Sequence, residues 1–171
     1  MKLPEVLNVL VYPDKGLRKK PAEVAEITDQ VREACADLAA TMQAHGGAGI
    51  AANQCGIDCN VFLIAAEVAQ TTDDLVCINP VVENLSADTT VAQEGCLSFS
   101  GAHAMIKRPK SCTLRATNLA GAEFSVDTDG FLARAIQHEF DHLSGKLMLD
   151  LMGSMKSKMF KKRLMKAKHG R

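Results

Sequence analysis

The segment His138-Glu139-Phe140-Asp141-His142 carries the strongest chemical signal in the chain. Two histidines four apart on a helix project their imidazoles to one side, about one turn apart, so together they can grip one divalent metal ion. Glu139, beside the first of them, is placed to accept a proton from water activated by such an ion. The plainer alternative is a polar helix face with hydrogen-bonded histidines. A catalytic site of this kind commonly has three protein ligands and an open fourth position, so a third ligand is needed. Gly145 follows His142 at the spacing that one group of zinc proteases uses, but the position where their third histidine falls is Met148. No glutamate follows His142, and the only acid there is Asp150, so the ligand is expected upstream.

The upstream candidate is Cys96 in Glu94-Gly95-Cys96-Leu97-Ser98, where Gly95 lets the backbone come close to whatever binds there. Taken alone, a buried cysteine is more often a core residue. The combination changes that reading, because Glu-Gly-Cys-Leu-Ser followed some forty residues later by Gln137-His138-Glu139-Phe140-Asp141-His142-Leu143 resembles the peptide deformylase family. A third block, Gly47-Ala48-Gly49-Ile50-Ala51-Ala52-Asn53-Gln54, is similar to that family's glycine-rich motif, and the likeness extends from Val11-Tyr12-Pro13 to the basic tail.

The resemblance implies that Cys96, His138 and His142 bind one divalent metal, natively Fe2+ in most members, with water in the fourth position. A thiolate and two imidazoles also suit Zn2+, Ni2+ or Co2+. The implied reaction is hydrolysis of the N-terminal formyl group from new polypeptides beginning with formylmethionine, releasing formate. Gln54 through its side-chain amide and Leu97 through its backbone N–H are the implied oxyanion donors, and Glu139 the residue that takes the water proton and delivers it to the leaving amine. Read without the family, Gln54 is a turn residue and Gly47 and Gly49 form a tight turn that lacks the ending of a phosphate loop. With it, Gly47, Gly49 and Gly95 flank a nascent chain that pairs as an added strand, and Phe131, Arg134 and Ala135 line part of the methionine pocket. The pattern is broken near that cleft: Gly46 stands where an acid is common, Ser100 where proline is common, and His103 where arginine is common. A charge pair is therefore expected to be missing at both ends, which leaves substrate preference open.

These residues need elements to hold them. Thr28 is placed to cap a helix with Val31, Cys35, Leu38 and Met42 on one stripe, ending at Gly46-Gly47. Short extended runs follow at Val61-Ala66, Leu75-Ile78, Cys112-Thr117 and Glu123-Val126, each closed by turn residues. From Phe131 to Ser144 the pattern is helical again, with Leu132, Ile136, Phe140 and Leu143 on one face, Phe131 and Ala135 extending the histidine face, and Gly145 as the stop. The tail predicts a further helix, with Met155, Met159, Phe160 and Leu164 as an apolar stripe on the body and a basic face outward. The expected architecture is a single α+β domain over residues 1–171, with short, mostly antiparallel strands packed around the central metal-binding helix and a C-terminal helix over 154–171.

Composition agrees with that class. The chain has 171 residues, of which 47% are hydrophobic and 23% charged, so disordered and low-complexity classes are excluded. With no apolar run long enough for a membrane span and no signal-peptide pattern, the sequence predicts a cytosolic protein with no membrane partner. Its six cysteines, Cys35, Cys55, Cys59, Cys77, Cys96 and Cys112, are then expected to be reduced. The spacing of Cys55 and Cys59 would suit one helical face, but Gly56 and Asp58-Cys59-Asn60 favour a turn there. A net charge of zero conceals eight basic residues and no acid in 154–171, leaving 12 basic against 20 acidic residues in the rest. Such a tail suits a polyanion, and with the resemblance it implies the ribosome as a partner, not DNA. The rival readings are a metallopeptidase that cleaves internal peptide bonds and a non-catalytic, RNA-associated module.

Overall fold

The structure is a computed structural model describing residues 2–169. Thr28 opens the first helix, Asp29–Ala44 (α1), its hydroxyl accepting from the Val31 N–H at 3.4 Å. Gly49–Ala51 (β1) and a 3-10 turn over Ala52–Cys55 lead to Val61–Ile64 (β2), which is buried at every position. Successive side chains of a strand point to opposite faces, so the apolar run is split: Phe62 and Ile64 join one core, Val61 and Leu63 another. The strand stops at Ile64, short of Ala66, because Ala66 starts a one-turn helix, Ala66–Ala69 (α2), whose first N–H is taken by Asp74 at 2.9 Å.

Leu75–Glu83 (β3) runs through the Asn79-Pro80 pair at which the sequence predicts a stop. Asn79 adopts φ +47° and the pairing register shifts between Ile78 and Val81, so the proline sits in a bulge that needs no ladder donor from it. Thr89–Gly95 (β4) and His103–Pro109 (β5) form a hairpin that the pattern does not mark, because the first of the two strands is polar and mostly exposed. Ser111–Thr117 (β6) and Glu123–Asp129 (β7) complete the strands; β7 continues past Val126 because Asp127 accepts from Thr113 across the pair at 2.6 Å. All pairings are antiparallel, in a five-stranded sheet ordered β1-β2-β3-β6-β7 and the separate two-stranded sheet β4-β5.

Gly130, at φ +61°, turns β7 directly into Gly130–Leu143 (α3). Ala133, Ile136 and Leu143 bury one face of α3 against Phe62, Ile64 and Leu114, with Leu132 and Phe140 packed at the edge, while α1 contributes Cys35, Leu38 and Met42 to the core around Val61 and Leu63. The last helix, Ser154–His169 (α4), inserts Phe160 into a third core with Leu17, Phe99 and Leu147–Leu149. Only part of the expected stripe on α4 touches the body. Phe160 is buried and Leu164 packs beside it, but Met155 and Met159 are 76% and 62% exposed. Five residues along a helix rotate a side chain by roughly 140°, so Met155 and Phe160 cannot share a face. Arg171 lies outside the described residues.

All six cysteines are free, and Cys55 and Cys59 lie across a turn at Gly56. No helix among the described residues is long and apolar enough to cross a membrane. Gly145 ends α3 at φ +71°, and a Cβ there would lie 2.6 Å from the Arg18 carbonyl oxygen. Gly145→Ala is expected to destabilise the fold by roughly 1–3 kcal/mol. Urea unfolding should show a lower midpoint with an unchanged slope.

Candidate active site

α3 presents His138 and His142 away from its sheet-packed face, toward the loop that follows β4. The His142 Nε2 lies 3.3 Å from both the His138 Nε2 and the Cys96 Sγ. All three donor atoms fall within 4.8 Å of one another. Tetrahedral coordination with bonds of about 2.0–2.1 Å to nitrogen needs nitrogen–nitrogen edges of roughly 3.3 Å, so the donor set fits one divalent ion of the borderline class. Without an ion, burial pushes the His142 pKa well down, whereas at His138 burial is outweighed by Cys96 and Glu94, which push its pKa up.

Behind the donors is a buried ionic cluster. Glu94 Oε2 accepts from His138 Nδ1 at 2.9 Å, which fixes the tautomer that turns Nε2 toward the other two donors. Arg108 of β5 gives the same carboxylate two bonds, at 2.5 and 3.0 Å, and reaches Asp141 of α3 at 2.8 Å. Arg134 adds a bond of 2.7 Å to Glu94 and binds the carbonyls of Ile106 and Thr90 at 2.9 and 3.0 Å. Burial alone would raise the Glu94 pKa, but the hydrogen bonds and charges of His138 and Arg108 hold it down to about 2.

In front of the donors is a cavity of about 530 Å³. Its walls are the segment from His45 to Gly49, the strand from Gln93 to Leu97, the loop residues Ser100, Gly101 and His103, and the exposed face of α3. Glu139 opens into it, 5% exposed, with Oε2 free of any hydrogen bond. Burial pushes its pKa up to about 7 against the pull of His138 and Arg108. Gly49 is required by this carboxylate: a Cβ there would lie 2.8 Å from Glu139 Cγ and 2.9 Å from Oε1. The Gln54 amide is oriented by the Ala51 N–H on its oxygen at 2.9 Å, and its nitrogen donates to Ser98 Oγ at 3.1 Å and faces Cys96 Sγ at 3.6 Å. Leu97 begins the 3-10 turn Leu97–Phe99 directly after Cys96.

The sequence-predicted residues thus line one cavity, apart from His142, which is buried behind its wall, and two of the expected contacts differ. The close approaches at Gly49 and Gly95 are made by the protein itself: Glu139 presses on Gly49, and the His103 ring lies where a Cβ on Gly95 would be 2.9 Å from it. Arg134 borders the cavity, yet its guanidinium is committed to Glu94 and two carbonyls. Phe131 is 60% exposed at the mouth and Ala135 is buried in the wall. Gly46 and His103, the two departures expected to break a charge pair, line the same cavity, as does Ser100. The supporting roles of Arg108 and Asp141 escaped the sequence reading. A signal existed for the first, since Ala104, Ile106 and Arg108 alternate as the buried positions of β5.

A family model for polypeptide deformylase matches residues 6–158. The chain belongs to the polypeptide deformylase family. It is 38% identical to a peptide deformylase of Acinetobacter baumannii (strain SDF) over 94% of this chain and 91% of the relative, and 40% identical to one of Pseudoalteromonas translucida (strain TAC 125) over 94% and 95%. A crystal structure of a peptide deformylase from Legionella pneumophila superposes with a TM-score of 0.88 at 30% identity, covering 96% of each chain. The chain is accordingly an enzyme, a metal-dependent hydrolase of the N-terminal formyl group of formylmethionyl polypeptides. The antiparallel α+β architecture is that of the solved relatives.

Glu94→Gln would leave two buried arginines sharing a neutral amide. It is expected to destabilise the metal-free protein by about 3–5 kcal/mol near neutral pH and to weaken metal binding by roughly 10–100-fold. Because the folded pKa is depressed, the stabilisation is full above the ordinary value of 4.5 and is lost as pH falls toward about 2, so the difference from wild type should shrink over that range. Denaturant titrations at several pH values and a chelator competition check both expectations.

Proposed function

We propose that Cys96, His138 and His142 hold one divalent metal, Fe2+ in the cell, and that Glu139, Gln54 and Leu97 carry out deformylation of nascent formyl-Met chains beside it. The observation that carries this reading is the convergence of one thiol and two imidazole nitrogens within 4.8 Å, opening on a cavity that also contains an unpartnered buried carboxylate. Such an ion, when bound, supplies Lewis-acid activation of water and of the formyl carbonyl. Glu139 accepts the water proton on Oε2 and passes it to the departing amine; a carboxyl whose pKa burial has raised to about 7 exchanges a proton at neutral pH in either direction. The Gln54 Nε2–H and the Leu97 N–H are donors on the Cys96 side of the cavity, and they stabilise charge developing on the formyl oxygen.

The nascent chain binds as an added strand. Among the described residues β1 is an edge strand of the larger sheet and β4 pairs only with β5, and both border the cavity. An extended peptide between Gly47–Gly49 and the Gly95 segment has backbone groups available on both sides, and its methionine side chain enters the pocket walled by Ala135, Phe131 and the stem of Arg134. Formate release from formyl-Met peptides by protein of known metal content, compared with cleavage of unformylated peptides, tests the reading. Release without internal cleavage supports it, and internal cleavage alone would give the metallopeptidase instead.

Action in the cytoplasm at the ribosome follows from the substrate and from α4. Lys158, Lys162 and Lys166 share its solvent face, with Met155, Met159 and Met165 exposed beside them. This face meets ribosomal RNA and the cavity meets the emerging chain. Because Phe160 plugs the third core, charge reversal is a cleaner test than deletion of the helix.

Two outcomes are expected. Glu139→Ala should keep its metal by elemental analysis and lose at least about a hundredfold in kcat, since it removes proton transfer and no ligand. Replacing Lys158, Lys162 and Lys166 by Glu should abolish ribosome co-sedimentation at low salt while small formyl-peptide hydrolysis is retained, and wild-type binding should fall steeply with salt.

A further inference from the structure

A second cavity, of about 460 Å³, lies between α4 and the loop that follows Cys96. Its floor is aromatic: Tyr12 stacks on Phe99 at 5.5 Å, with Phe160 buried behind Phe99 at 5.6 Å. Its outer wall is cationic. Arg163 stands over the Phe160 ring at 5.6 Å, and Lys168 donates to the Tyr12 carbonyl at 3.2 Å, which leaves two of its three N–H groups for another acceptor. Among the described residues no acidic side chain lines this cavity and no carboxylate lies at ion-pair distance from Arg163 or Lys168.

This cavity adjoins the active site, because Ser100, Gly101 and His103 line both. His103 closes the β4-β5 pair opposite Gly95, and Ser100 and Gly101, at φ +50° and +78°, form the sill between the two spaces. A chain that starts at the metal donors and runs along the Gly95 segment meets this sill as it leaves.

We propose that the second cavity is an exit subsite for the substrate's own downstream residues, selecting acidic side chains there. The proposal rests on the deformylation reading above. Charge chooses the occupant: two cations with no carboxylate at ion-pair distance among the described residues, beside aromatic rings, attract a carboxylate whose stem packs on the rings, and they repel lysine. An RNA strand is the less favoured occupant, because the cavity opens beside the peptide cleft and faces away from the Lys158–Lys162–Lys166 surface.

The test uses the metal-loaded full chain and formyl-Met hexapeptides of alanine and serine, with a single Asp or a single Lys moved through positions three to six. The Asp form should exceed the Lys form in kcat/KM by about three- to tenfold at one or two adjacent positions, through KM, and the ratio should fall toward one in about 0.5 M salt. Arg163→Gln with Lys168→Gln should remove the ratio while hydrolysis of formyl-Met-Ala, too short to reach the sill, is retained. Ala167→Glu, an exposed position lining the same cavity, should invert it. A ratio near one at every position in the wild type, or one that neither variant changes, overturns the proposal. Loss of affinity for a short RNA hairpin in the variants, with the peptide ratio intact, also overturns it. Should the wild type release no formate from formyl-Met-Ala, the deformylation reading fails, and anisotropy with dye-labelled, unformylated hexapeptides tests the cavity alone: tighter Asp binding that the variants abolish upholds it, and equal Asp and Lys binding overturns it.

Discussion

The Glu94 carboxylate holds together two parts of the molecule that the backbone leaves separate. Among the described residues β4 and β5 pair only with each other, so no sheet ladder relates the hairpin carrying Cys96 to the helix carrying His138 and His142. Side chains supply the connection. Arg134 reaches the carbonyls of Thr90 and Ile106, Gln137 reaches that of Pro109 at 3.1 Å, Arg108 reaches back to Asp141, and His138 and both arginines meet on Glu94. Cys96 follows Glu94 by two residues, so fixing the carboxylate against α3 brings the thiol to 3.3 Å from His142. A three-donor site tolerates errors of only about 0.2 Å, and this network sets the distance.

Such a cluster is a poor way to gain stability and a good way to gain position. Taking charges out of water costs several kcal/mol each, and an apolar replacement of the same shape is often at least as stable. The cluster balances, with Glu94 and Asp141 against Arg108 and Arg134, and their hydrogen bonds point in directions that an apolar contact would not define. The other side of Cys96 is fixed differently. Phe99 is locked between Tyr12 and Phe160, and the Tyr12 N–H donates to the Ser98 carbonyl at 2.8 Å, so the thiol sits between an ionic anchor and an aromatic one. The C-terminal helix therefore supports the candidate donor Cys96 although it lines none of the active-site cavity.

The sequence made α1 and α3 legible because each has a full apolar stripe and a visible boundary: Thr28 before α1, Gly145 after α3. It made His138 and His142 legible as candidate donors because two histidines four apart share one side of a helix, whereas Cys96 alone reads as a core residue and stands out only through the family resemblance. What it hid was long-range and polar. β4 alternates too few apolar side chains to be seen, since one of its faces meets solvent and the other meets Glu94's ionic partners. Arg108 resembles any surface arginine until its strand's period-two burial is known. On α4, spacing alone merged two faces, and only the docking of Phe160 shows which one is inside. The glycines were legible as close approaches, but not what approaches them.

Gly49 lies in β1, an edge strand, and the missing Cβ is what allows Glu139 to rest against the strand's backbone, so the carboxylate stands at the border where an added strand would begin. Gly95 is the mirror case on the other wall, where His103 takes the space. Both walls are thus glycine backbone covered by a titratable side chain from the protein: a buried acid on the chemical side, an exposed imidazole on the exit side. The first is fixed by burial, since a carboxylate 5% exposed has little room to leave. The second is not, since His103 stands at an exposed strand end beside the Ser100–Gly101 sill. Burial thus sets the two walls apart, with the carboxylate enclosed and the imidazole at the rim.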